Sequence, residues 1–149
     1  MIIEGFVEQG KHVGHSLGFP TLNVRPERVE GDWPENGVYA AAVWIGNGGR
    51  AWPGMLNQGV HPTLPEGKPT VEVHVMGLDA ELYGAAVRVE YLRFMRRERR
   101  FEDVEALRAQ LARDREAVLE WLRGAAGTPS PDARQRRAAQ IAWMPADAL

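Results

Sequence analysis

The chain has 149 residues, of which 44% are hydrophobic and 26% charged, with a formal net charge of -2 and no cysteine. That is enough apolar material for one domain with a core that needs no staple, and it excludes disulfide frameworks, thiolate metal sites and cysteine nucleophiles. The near-neutral charge gives no overall field for nucleic acid, and neither a span of about 20 apolar residues nor a basic, apolar leader is present, so a cytoplasmic location is expected.

Residues 2–94 read as short β-rich runs divided by glycine, proline and asparagine clusters, the pattern of a small sandwich or barrel. Strands are expected at 2–7, 38–45, 51–57, 70–76 and 87–94, with a short one at 22–24. Between the second and third of the longer runs, Gly46-Asn47-Gly48-Gly49 tolerates the backbone of a tight turn, so those two strands should form an antiparallel hairpin.

Before the 22–24 run, Gly5, Gly10, Gly14 and Gly18 recur at spacings of four or five, and residues 14–23 read Gly-His-Ser-Leu-Gly-Phe-Pro-Thr-Leu-Asn. Close backbone approach to a ligand is possible along such a loop. Pro20 stiffens the chain ahead of Thr21 and holds Phe19 extended. Thr21 and Asn23 alternate, so on an extended chain they point the same way and offer hard oxygen donors of the kind Mg²⁺ accepts beside phosphate oxygens. No Walker A is present, because Gly10-Lys11 is followed by His12.

In Val71-Glu72-Val73-His74-Val75 the valines form one face, and Glu72 and His74 the other. A proton acceptor is best sought in Glu72, a carboxylate fixed on a strand, although alone it reads as a solvated strand residue, and His74 alone reads equally as a packing histidine. His12, His15 and His61 lack the short spacings of a zinc site. The arginines between Arg93 and Arg100 are interrupted by Glu98 and have no repeating aromatic platform, so they read as a solvated flap, not a nucleic-acid surface.

After Phe101 the period changes. Val104, Leu107, Leu111, Val118 and Leu122 recur at helical spacing, with Glu102, Asp103 and Glu105 at the start and Gly124 as a stop. Residues 125–131 read as a linker and 132–149 as a flexible tail with room for a short helix, with docking of Trp143 and Met144 on the domain or a partner as the alternative. The division expected is therefore one domain over 1–124 and a tail over 125–149.

Taken in order, Gly5, Gly10, Gly14, Leu17-Gly18-Phe19-Pro20-Thr21, Asn23, Gly37-Val38-Tyr39-Ala40, Asn57-x-Gly59, Pro62-Thr63, Val71-Glu72-Val73-His74, Leu82-Tyr83-Gly84 and Arg96-x-Glu98-x-x-Phe101 resemble the riboflavin kinase family. The resemblance implies an all-β fold with a C-terminal helix, a six-stranded antiparallel Greek-key barrel. It also implies an enzyme that phosphorylates the riboflavin 5'-hydroxyl with ATP and Mg²⁺ to give FMN. Thr21 and Asn23 would organise the metal and the ATP phosphates, and Glu72 would be the base. Gly5, Gly10, Gly14, Gly18, Pro20 and Tyr83 would lie at the nucleotide, and Arg96, Glu98 and Phe101 at the flavin. Small molecules would be its only partners, with no nucleic acid, no membrane and a monomeric state. Bacterial bifunctional members carry an N-terminal adenylyltransferase domain; here the kinase pattern begins at Ile3-Glu4-Gly5, so FMN and not FAD is the expected product. The chain departs from the family pattern at His15 and His61, where arginine is common, and at Leu22, Gly77-Leu78 and Glu81. A flavin- or nucleotide-binding regulatory module built on the same pattern is the alternative reading.

Overall fold

The computed structural model describes residues 1–9, 17–60, 68–78, 80–125 and 132–145. Six strands, β1 (Ile2–Glu8), β2 (Leu22–Glu30), β3 (Gly37–Ile45), β4 (Trp52–Gly59), β5 (Thr70–Val75) and β6 (Ala86–Arg97), close into an antiparallel barrel in the order β1-β2-β5-β4-β3-β6. The expected fold class is met, including the β3–β4 hairpin, in which Gly37 pairs with Gln58 and Val43 with Trp52. Irregularities at Glu4/Gly5 in the β1–β2 pairing and at two points along β3–β6 supply the local bends that let so few strands close. Gly5 belongs to this device. A Cβ on it would run into the Arg25 carbonyl, so glycine is what lets the two strands meet there.

Alternation divides the apolar residues into two cores. Ile3, Val7, Val24, Tyr39, Val43, Leu56, Val71, Val73 and Val89 fill the barrel interior. The intervening residues of β3, Val38, Ala40 and Ala42, point outward and are equally buried, because the helices cover them. Their small side chains leave room for Val118 and Trp121 of α1 (Val104–Ala125) to lie close against the sheet.

Helix α1 starts where expected, with the Asp103 carboxylate accepting a capping bond from the Ala106 N–H at 2.7 Å. Its buried stripe differs from the expectation in two ways. Val104 is 58% exposed, and between Leu111 and Val118 the stripe carries Asp114, buried with Gln110. Strand β2 also runs well past the expected 22–24. Its outer half is exposed and charged, and it is held by its ladder with β1 instead of by apolar burial.

The tail contains the short helix for which it had room: α2 (Ala133–Gln140), capped by Asp132, packs Ala138 into the outer core, where Ile141 follows it. Arg137 makes a two-pronged pair with the buried Glu90 of β6, each bond 2.8 Å. Beyond it, Trp143 forms a parallel bridge with Ala51, and the Ala51 backbone exchanges hydrogen bonds of 2.8 Å with Ala142 and Met144. Short-range polarity concealed these contacts because each is made to a residue distant in sequence. Among the described residues, no helix is long and apolar enough to cross a membrane.

Candidate active site

Strand register assembles the site. Asn23 of β2 and Asn57 of β4 both pair with Glu72 of β5, one from each side. Directly opposed residues of an antiparallel pair project from the same face, so the two amides flank the carboxylate on the outside of the barrel. The valines on either side of Glu72 take the inside.

Two cavities meet along the segment that leads into β2. One, of about 310 Å³, is lined by Pro20, Thr21, Leu22, Asn23 and Tyr83, among others. The other, of about 330 Å³, lies between the barrel and the first half of α1 and is lined by Thr21, Asn57, Glu72 and His74, with Arg96, Glu98 and Phe101 at its rim. Thr21 lines both. Tyr83 stands 72% exposed at the mouth of the first cavity, on a turn fixed to β1 by the Gly84 N–H donating to the Val7 carbonyl at 2.8 Å.

His74 is buried, 8% exposed, and its Nδ1 lies 2.8 Å from the Pro20 carbonyl oxygen. A carbonyl only accepts, so Nδ1 carries the proton and donates. Phe19 meets the ring edge-on with centroids 5.5 Å apart. Burial lowers the pKa of His74 below its ordinary value, partly offset by the bond to Pro20, so the ring is neutral near pH 7.

On the far wall, Arg96 is less free than its sequence context implies. It lies within β6, not in a flap beyond it, and its guanidinium grips Asp114 through Nε at 2.8 and 3.0 Å and Nη2 at 2.7 Å, while Nη1 donates to the Arg97 carbonyl. Gln110 donates to the same carboxylate at 2.8 Å. Arg96 thus ties β6 to α1 at the cavity edge. Phe101 lies beneath two guanidinium groups, those of Arg96 at 5.8 Å and Arg99 at 5.0 Å. The Glu98 carboxylate lies across Gly59, in the space that a Cβ there would take.

Of the glycines expected at a nucleotide, Gly5 sits in the β1–β2 pairing and lines a separate outer groove, away from Thr21 and Asn23. Gly18 lies just before the shared segment at a positive φ of 84°. Gly10 and Gly14, with His12, His15, His61, Pro62 and Thr63, lie outside the described residues. Sequence reasoning gave no role to Asn57 and passed over Arg99, Gln110 and Asp114. A signal for Asp114 was available: it falls where the apolar stripe of α1 should continue between Leu111 and Val118, and a carboxylate at a buried position needs a cation.

The family model for flavokinase, the riboflavin kinase family, matches residues 1–122. The chain belongs to the riboflavin kinase family. The bifunctional riboflavin kinase/FMN adenylyltransferase of Escherichia coli is 37% identical over 119 residues, covering 80% of this chain and 37% of that protein. An RNA-binding riboflavin kinase of Bacillus subtilis, RibR, is 34% identical over 114 residues, covering 76% and 47%. The chain therefore spans less than half the length of these relatives. The crystal structure of riboflavin kinase from Trypanosoma brucei superposes with a TM-score of 0.60 at 21% identity, over 82% of this chain and 79% of that one, a likeness of fold.

Proposed function

We propose that the chain transfers the γ-phosphoryl group of ATP to the 5'-hydroxyl of riboflavin, giving FMN and ADP. The observation that carries this reading is Thr21, which lines both cavities one strand away from Glu72. Phosphoryl transfer asks little covalent chemistry of a protein; it needs the donor phosphate and the acceptor hydroxyl brought to one point, with a group to take the proton. The cavity of Asn23 and Tyr83 takes ATP, and the cavity between the barrel and α1 takes the flavin.

In the reaction the ribityl oxygen bonds to the γ-phosphorus as the bridge to the β-phosphate breaks, and the hydroxyl proton passes to Glu72. The main contribution of Glu72 is to orient the hydroxyl and accept its proton late. Among the described residues no cluster of three or more His, Asp or Glu side chains is placed to hold a metal. The Thr21 hydroxyl and Asn23 amide instead fit Mg²⁺, which is commonly held by few protein oxygens together with phosphates and water. When bound, the metal neutralises charge on the phosphates. Glu98 and Phe101, at the rim, contact the flavin; Arg96 shapes that rim from its pair with Asp114.

The test is to incubate the chain with riboflavin, ATP and Mg²⁺ and separate the flavins. FMN is expected. Flavin that binds and stays unphosphorylated at saturating ATP would favour the regulatory module instead.

A further inference from the structure

Residues 19–21 belong to no strand ladder, since β2 begins at Leu22, yet they form the wall shared by the two cavities. Pro20 has no N–H with which to tether itself. Among the described residues its carbonyl is bound by the His74 side chain, and the ring that binds it is packed edge-on against Phe19. His74 stands two residues from Glu72 on the same face of β5, a separation of about 7 Å along a strand. The bond from His74 therefore joins the residue next to Thr21 to the strand that carries the carboxylate.

We infer that His74 is a positioning residue: from the flavin side of the shared wall it latches Pro20 so that Thr21 is held ready for the nucleotide on the other side. The inference takes its meaning from the kinase reading but not its measurement. A side chain that lines one cavity then governs affinity in the other, which neither direct flavin contact nor simple core packing would do.

Two substitutions separate these roles. His74→Phe fills the space and removes the donor. His74→Asn places an amide N–H at the same distance from Cβ as Nδ1, so it keeps the donor with a smaller side chain. Mg-ADP affinity is measured by calorimetry, the KM values for ATP and riboflavin by FMN formation, and the folded state by thermal unfolding. In His74→Phe, Mg-ADP should bind about tenfold more weakly, the size expected when a buried carbonyl loses its donor, and KM for ATP should rise more than KM for riboflavin. His74→Asn should recover most of that loss. If His74→Phe does not fold, His74→Val, better suited to a strand, is read in its place. Wild-type Mg-ADP affinity in the apolar variant, or a His74→Asn no better than it, would overturn the latch. Should the wild type make no FMN, the kinase reading falls, and the Mg-ADP comparison still decides the latch.

Discussion

Replacing Asp114 by alanine removes one half of the contact that fastens α1 to β6. The carboxylate is 4% exposed and accepts three bonds of 2.7 to 3.0 Å from Arg96 and a fourth of 2.8 Å from Gln110. Breaking a buried ion pair from one side commonly costs about 3–5 kcal/mol, because the surviving charge stays desolvated. Arg96 keeps some access to water, with 19% of its side chain exposed, and keeps its bond to the Arg97 carbonyl, which places the loss near the lower end. Losing the acceptor of Gln110 adds to it, so we expect about 3–4 kcal/mol, or a Tm lower by roughly 6–16 °C for a chain of this size. Urea unfolding followed by tryptophan fluorescence is a suitable assay, because Trp121 sits in the interface being loosened. The midpoint should fall with an unchanged slope. A double replacement, Arg96→Met with Asp114→Leu, removes both charges and should regain most of the stability. A single variant within 0.5 kcal/mol of wild type, a threshold set by ordinary surface substitutions, or a double variant as unstable as the single, would refute the reasoning.

Three further outcomes follow from named contacts. Glu72→Gln should lower kcat by about 10²-fold or more with little change in Mg-ADP affinity, and an unchanged kcat would remove Glu72 from its role as base. Tyr91 donates to the Oε1 of Gln58 at 2.9 Å inside the barrel, and burial raises its pKa so that it stays protonated; Gln58 is 1% exposed. Tyr91→Phe leaves that oxygen without its donor and should cost about 1–3 kcal/mol in urea unfolding, so an equally stable variant would count against the buried network. His74 titrates below 6.5 in the folded chain, so as pH falls below about 6.5 the unfolded chain takes up its proton first and stability declines until the lower folded pKa is passed. Tm measured from pH 7.5 to 5.5 should therefore fall more steeply for wild type than for His74→Asn, and parallel slopes would exclude this contribution.

How much could be read from the sequence depended on whether burial or pairing held a segment. Strands β1, β3, β4, β5 and β6 carry alternating or continuous apolar runs, and those periods located them. The outer half of β2, Arg-Pro-Glu-Arg-Val-Glu, is mostly charged and exposed, so its strand character comes from its neighbour β1 and leaves no local period. Helix α2 is likewise polar along most of its length and depends on Ala138, the Arg137–Glu90 pair and the Trp143 bridge. At the site, alternation put Thr21 with Asn23 and Glu72 with His74, the family resemblance singled out Glu72, and register places Asn23 directly beside it. The pairing of Arg96 with Asp114 was not legible, since the two lie 18 residues apart on different elements. Two neighbouring arginines likewise reach partners distant in sequence: Arg93 lies over Trp121 at 5.8 Å and Arg97 pairs with Glu35 at 2.8 Å. Arg93, Arg97, Arg99 and Arg100 stay exposed, as expected of a solvated segment, while Arg96 with Asp114 forms the seam between barrel and helix.

The claim that two cavities meeting at Thr21 bring a phosphate to a flavin hydroxyl is tested most directly by following riboflavin, FMN, ATP and ADP together in one reaction with Mg²⁺. FMN and ADP appearing in equal amounts is the predicted result. ADP released without FMN, or riboflavin bound and unchanged while ATP persists, would contradict it.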